Sequence, residues 1–159
     1  MIFVCVGSRD YQFNRLLEAL DLLVENGTVT EKIVAQIGQS QYEPRYYEWH
    51  RYLDRDEFKR YQSEADLIVS HAGTGALIGA LKLEKQVIAV PRLARYGEHI
   101  DDHQTQISSV LAEEGYLRQV LDMADLGKII HLAYQDPILK KYDRPSNIIQ
   151  IIGDYIESP

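Results

Sequence analysis

Apolar residues run along this chain in two rhythms. Short unbroken runs, "IFVCV" (2–6), "DLIVS" (66–70) and "QVIAVP" (86–91), read as strands buried on both faces of a parallel sheet. "KIVAQIG" (32–38) reads as a further strand, "YYEWHRYL" as a possible short one and "YLRQVL" (116–121) as the last. Between them the spacing turns helical. Leu16, Leu17, Leu20, Leu23 and Val24 repeat at the period of a helix that opens near Asn14 and stops at Asn26-Gly27. Asp54 and Glu57 form a D-x-x-E capping box that opens a helix to about Glu64. Further helices are expected from near Gly75, over 102–114, over "MADLGKIIHLAY" and over "RPSNIIQIIGDYI". Strands that alternate with helices predict a doubly wound α/β domain with a parallel sheet and right-handed crossovers. No repeat, linker or low-complexity tract divides the chain, so 1–159 reads as a single domain.

The last pattern carries apolar residues on more than one face, at Ile148, Ile149, Ile151, Ile152, Tyr155 and Ile156. A helix that closes a sheet needs only one stripe, so the excess predicts a second contact, either with a partner or with the domain's own core.

Composition narrows the function. With 45% hydrophobic and 26% charged residues the chain is an ordinary globular one, not a disordered or fibrous one. A net charge of −7 argues against a nucleic-acid partner, which calls for the opposite field. Any anionic ligand must therefore be held by local donors. The lone Cys5 lies in an apolar run and reads as a buried strand thiol, which fits a reducing compartment. No signal-peptide pattern precedes the first strand, and no apolar run reaches the roughly 20 residues of a spanning helix.

Two strand-to-helix turns carry candidate chemistry. Gly7-Ser8 follows the first strand, and Gly73-Thr74-Gly75 follows the strand at 67–70. Ligands of open α/β sheets bind beyond the strands' carboxyl ends, against helix N-termini. Glycine permits close backbone approach, and the Thr74 hydroxyl adds a donor; the same glycines could instead serve only to make tight turns. The spacing G-x-G-x-x-x-G (73, 75, 79) is one residue too long for a dinucleotide fingerprint, and a P-loop lacks its G-K-[ST]. Asp54-Arg55-Asp56 resembles a metal-binding D-x-D, but the capping box accounts for it, and no other cluster has metal-ligand spacing. The aperiodic stretch "PRLARYGEHIDDHQTQ" (91–106) holds Arg92, Glu98, His99, Asp101, Asp102, His103 and Gln104 and reads as a functional loop. Asp101 with Gln104 also matches a second capping box, and His71 could be a purely structural imidazole.

The blocks "FVCVGSRDYQFNRLL", "AQIGQSQYEP", "EADLIVSHAGTGALIGALKL" and "VIAVPRLARYGEHIDDHQ" together resemble a known family over roughly residues 1 to 120. It includes the PssE-type bacterial exopolysaccharide glycosyltransferases and the cytosolic donor-binding subunit of the two-subunit GlcNAc transferase of dolichol-linked oligosaccharide synthesis. Both are similar to the C-terminal half of the lipid II GlcNAc transferase, a GT-B fold. The resemblance implies a Rossmann-like UDP-sugar-binding subunit of a two-component inverting transferase acting on a lipid-linked acceptor in polysaccharide biosynthesis. It implies a membrane-anchored acceptor-binding partner, a place at the cytoplasmic face through that partner, and no cofactor beyond the UDP-sugar substrate. Gly73, Thr74 and Gly75 would line the diphosphate, with Gly7 and Ser8 opposite. Asp102, His103 and Gln104 would face sugar hydroxyls, and the backbone around Tyr52-Leu53 would contact uracil. His71, Arg92 and His99 match the family pattern, and His99 is the candidate base within the chain if the partner does not supply one.

One departure stands out. Gly79 occupies the place of an acidic residue that in the family binds the ribose hydroxyls, and Glu84 replaces a usual glycine or small polar residue. Either another group holds the ribose or donor binding is weak. The alternative function is thus a noncatalytic assembly subunit with weak or no nucleotide binding. A self-sufficient nucleotide-sugar enzyme such as an epimerase is disfavoured, since the sites of GT-B folds lie between two domains.

Overall fold

The computed structural model describes residues 1–144, so the apolar pattern at 148–156 lies outside the described residues. Six strands form one parallel sheet: β1 (Ile2–Cys5), β2 (Ile33–Gln36), β3 (Glu48–His50), β4 (Leu67–Ser70), β5 (Gln86–Ala89) and β6 (Arg118–Gln119). Their order is β3-β2-β1-β4-β5-β6, the doubly wound Rossmann arrangement. β1 pairs with β2 on one side and with β4 on the other, so the winding reverses there and a crevice opens above the β1 and β4 carboxyl ends.

Alternation along β1 sorts the core into two layers. Ile2, Val4 and Val6 face α1 (Asn14–Glu25) and α5 (Leu126–Gln135), where Leu16, Leu17, Leu20, Leu126 and Ile130 complete a buried cluster. Phe3 and Cys5 face the other side, against α2 (Arg55–Glu64), α3 (Thr74–Lys82) and α4 (His103–Glu113). Phe3 stacks on Tyr61 with ring centroids 5.8 Å apart and meets Phe58 edge-on at 5.2 Å. Burial raises the Cys5 thiol to about 11, so it is an inert packing group, as the apolar run predicts.

The capping box of α2 forms in its first half: the Asp54 carboxylate accepts the Glu57 N–H at 2.9 Å. At α4 the structure corrects the sequence reading. Gln104 does not close a capping box; its Oε1 accepts the Arg92 N–H at 3.2 Å, and Asp102 Oδ1 accepts the Ala94 N–H at 2.9 Å. Both residues brace the 92–101 loop from the helix start. That loop is also less irregular than expected, since it contains a 3₁₀ turn over Ala94–Tyr96 that ends on Gly97 at φ 67°. The last strand shrinks to two residues because it pairs only with the end of β5, and the Met123 stretch opens with a 3₁₀ turn before α5.

Candidate functional site

At the switch point the β4–α3 turn runs Ser70-His71-Ala72-Gly73. Ala72 adopts φ 67°, a left-handed conformation that L-residues rarely take, and it is fully buried. Such strain persists where the surroundings over-determine it, and it concentrates at functional sites. The turn carries the His71 ring back under the crevice, where Nδ1 donates to the Cys5 carbonyl at 3.1 Å. That carbonyl can only accept, so Nδ1 carries the hydrogen. Burial, then the Arg92 charge, pushes His71 down to about 4, so near neutral pH the ring is uncharged and Nε2 is a bare acceptor.

This ring explains two glycines. A Cβ at Gly73 would meet His71 Nε2 at 2.3 Å, and one at Gly7 would meet it at 2.8 Å. Gly7 also sits at φ 83°. Gly73 and Gly7 therefore clasp the imidazole, a requirement that neither turn propensity nor ligand approach alone expresses. Gly75 differs: no atom lies within 4 Å of where its Cβ would be. Gly75 leaves open space beside the first turn of α3.

Gly73 caps α3 without a side-chain acceptor, and the first backbone acceptor is used only at Leu77, whose N–H bonds Gly73 O at 3.0 Å. The N–H groups of Thr74, Gly75 and Ala76 thus point, unpartnered among the described residues, into a cavity of about 510 Å³. Its wall brings together Gly7, Ser8, His71, Gly73, Thr74, Gly75, Arg92, His99, His103 and Gln104, ten of the expected residues from four separate segments. Arg9 and Asp101 line it too.

Arg92 is 1% exposed, with Nη2 donating to the Tyr11 carbonyl at 3.1 Å and Nε without a partner. Burial lowers it to about 10, with Glu98 pulling it back up, and it remains a cation at neutral pH. Its position is set by a pin that sequence reasoning missed. Glu98, fully buried, receives Arg15 Nε at 2.9 Å and Nη2 at 3.1 Å, and the Leu93 N–H at 2.9 Å. No local spacing links residues 15 and 98; only the fold joins them. His99 packs on Tyr11, with Nδ1 3.3 Å from Asp101 Oδ1. The Asp101 N–H also reaches Nδ1, at 3.4 Å, so Nε2 is free to accept a proton only in the tautomer whose Nδ1–H donates to the carboxylate instead. The His103 N–H, more than any other group, holds the Asp101 carboxyl below its ordinary range.

Two expected residues fall outside this cavity. Asp102 is turned to the loop backbone, as described above. Leu53 lies in an adjoining cavity of about 480 Å³, with Gln36, Tyr52, Phe58, Gln62 and Gly79, which meets the first at Ser8, Gly75 and Ala76. The Leu53 N–H is already used, donating to Gln36 Oε1 at 3.0 Å. Gln36 was visible in sequence only as a polar residue within an apolar run. A third cavity, about 250 Å³, lies at the amino end of β5, away from the switch point. Its lysines are engaged: Lys85 by the Ser63 carbonyl, Lys140 by the Glu114 carbonyl and Lys141 by Glu84. Among the described residues no group of three or more His, Cys, Asp or Glu is placed to hold a metal, and no helix is long and apolar enough to cross a membrane.

A doubly wound sheet with an amide-lined cleft at its switch point defines a Rossmann-like type of domain. The profile of the Glycosyltransferase family 28 C-terminal domain matches residues 1–152, and the chain belongs to that family. It is 29% identical over 105 residues to the UDP-N-acetylglucosamine transferase subunit ALG13 of Debaryomyces hansenii, an alignment covering 66% of this chain and 47% of that protein. The chain thus spans about half the length of that relative. Among solved structures it is similar to the NMR structure of ALG13, with TM-score 0.63 and 17% identity, over 99% of this chain and 96% of that one. It also resembles MurG of Acinetobacter baumannii, with TM-score 0.59 and 18% identity, over 95% of this chain and 49% of MurG. These likenesses establish the fold as that of the C-terminal domain of GT-B glycosyltransferases.

Proposed function

We propose that this chain is the UDP-sugar-binding subunit of a two-component inverting glycosyltransferase. The observation that carries the reading is the convergence of the open α3 amides with the buried Arg92 guanidinium on one cleft at the switch point. A diphosphate there receives backbone N–H groups, the positive end of a helix dipole and a cation of low mobility. Its charge also raises the His71 pKa, converting Nε2 from an acceptor to a donor toward the phosphate.

In the transfer, the acceptor hydroxyl attacks the anomeric carbon from the face opposite UDP, and the bond to the diphosphate oxygen breaks. The acceptor proton passes to a base and UDP leaves with the bonding pair. The same amides and Arg92 stabilise the charge that grows on the leaving diphosphate, in a role that a divalent metal fills elsewhere. His99 is the candidate base in this chain when Asp101 holds its Nδ1 proton; a base on the partner would serve the same step. We assign His103 and Gln104, which line the same cavity, to the sugar of the donor.

The relative's name, a UDP-N-acetylglucosamine transferase subunit, supports a division of labour between chains. We assign the lipid-linked acceptor to a membrane-anchored partner and place this subunit at the cytoplasmic face through it. A second reading, an assembly subunit that binds nucleotide weakly or not at all, is favoured by one feature: Gly79 leaves the base-side cavity without a carboxylate. Calorimetry with UDP in EDTA separates the two. UDP should bind without metal, and Gly75→Val, which fills the open space without touching His71, should abolish binding while the protein stays folded. Equal affinity in that variant would reject the cleft as the donor site. Turnover of UDP-GlcNAc with and without the acceptor subunit then tests the partner.

A further inference from the structure

Two guanidinium groups line the switch-point cavity, and they are held differently. Arg92 is buried, with Nη2 on the Tyr11 carbonyl, and the neighbouring Glu98 offsets its charge. Arg9 follows Gly7 and Ser8 on the bend after β1 and is exposed. Arg15, Arg51, Arg60 and Arg144 each pair with a glutamate, whereas Arg9 has no hydrogen-bond or ion-pair partner among the described residues. After burial, the charges that hold His71 down are those of Arg92, His99 and Arg9. Arg92 is lowered by burial and then by Arg9, with Glu98 opposing. The Arg9 charge is therefore close to both groups, and two cations face one open cleft. Their repulsion is relieved when an anion lies between them.

We propose that Arg9 is a further catalytic residue, a cation that turns onto the outer phosphate of the donor and stabilises the charge left there when the sugar departs. This rests on the donor-site reading above and deepens it. Ser8 lines both the larger cavity and the base-side one, whereas Arg9 lines only the larger. One residue beyond Ser8, Arg9 is thus on the sugar side of the diphosphate, away from the nucleoside. When the bond between the anomeric carbon and the phosphate oxygen breaks, its electron pair stays on that oxygen and the diphosphate gains a negative charge. The guanidinium keeps its protons throughout and offers a planar fork to two phosphate oxygens. Arg92 is anchored by burial, but Arg9 is free to reorient toward the growing charge. Its interaction is consequently stronger with the departing UDP than with the intact donor, which is what accelerates the step.

The test titrates the wild type, Arg9→Gln and Arg9→Lys with UDP, UMP and UDP-GlcNAc by calorimetry in EDTA at one fixed ionic strength. Because Arg9 is exposed, the thermal midpoints of the wild type and both variants should agree. Arg9→Gln should weaken UDP binding by roughly tenfold or more, the worth of one charged hydrogen bond to phosphate. UMP has no outer phosphate and should bind the wild type and both variants alike. UDP-GlcNAc should lose less than UDP, because its outer phosphate carries less charge. Arg9→Lys keeps the charge without the fork and should fall between. Unchanged UDP affinity in Arg9→Gln overturns the assignment. An equal loss for UMP overturns it too, since Arg9 then supplies only a general field, and equal losses for UDP and UDP-GlcNAc remove the catalytic role. If the wild type binds none of the three nucleotides, the donor-site reading falls and this inference falls with it.

Discussion

At the scale of single residues, the two departures from the family pattern have opposite consequences. Glu84 lies at φ 58° just past α3, a left-handed position that favours glycine, and its ion pair with Lys141 is exposed at both ends. The strain exceeds what such a surface pair returns. Glu84→Gly should therefore stabilise the protein by about 1 kcal/mol, raising the thermal midpoint by about 2–4 °C, a shift that differential scanning calorimetry resolves; a lower midpoint would show that the pair matters more. Gly79 is different. A Cβ there would meet only Gln62 Nε2 at 3.7 Å, an ordinary contact, so a glutamate fits and its carboxylate comes within reach of that amide. Gly79→Glu should tighten UDP binding by up to about tenfold through the ribose hydroxyls. Unchanged or weaker binding in titration would mean that another group already holds the ribose or that α3 is placed differently against it. Glu84 and Gly79 were both conspicuous in the sequence against the family pattern, whereas the reason for Gly7 and Gly73 was not. The clash that forbids a side chain there is with the His71 ring, which for Gly7 comes from another strand end and for Gly73 is folded back from the same turn.

At the scale of elements, unbroken apolar runs located β1, β2, β4 and β5, whose residues are nearly all buried, and helical spacing located α1, whereas α2 was legible from its capping box and the partly exposed β3 only as a possible strand. What periodicity could not show was how polar groups connect elements. The Asp101 and Gln104 spacing read as a capping box, yet Gln104 and Asp102 bond the loop backbone instead, since buried loop amides compete for the same acceptors. Asp21 in α1 likewise accepts from Tyr42 Oη and from the Arg45 and Tyr46 amides, fixing the polar 39–47 segment to a helix whose pattern gave no hint of it. The same kind of link joins α1 to the site loop through Arg15 and Glu98. Removing one member of a buried pair leaves the other charged and unpaired, a loss of about 3 kcal/mol. Arg15→Met should lower the urea midpoint accordingly and weaken UDP binding, because Glu98 also holds the Leu93 amide beside Arg92. Full stability with weakened binding would place the pin's role in the site alone.

For the whole molecule, the cleft ties stability to pH between neutrality and about 4 through His71. His71 is neutral because folding buries it beside Arg92, which brings its pKa from the ordinary 6.5 to about 4. The unfolded chain therefore binds a proton at His71 over a range in which the folded protein does not. The contribution is complete above about 6.5 and is lost progressively as pH falls toward 4, on the order of 2 kcal/mol over that window. Asp101, held below the ordinary carboxylate range chiefly by the His103 amide, loses its own contribution only at lower pH, so the two effects separate. His71→Asn keeps a donor for the Cys5 carbonyl and cannot titrate. Urea denaturation between pH 7.5 and 4.5 should show wild-type stability declining and the variant's declining less, with UDP reversing the wild-type trend by supplying the charge that protonated His71 needs. Parallel declines in both proteins would move the titration elsewhere, and with it the claim that the imidazole at the switch point exchanges its proton when the diphosphate binds.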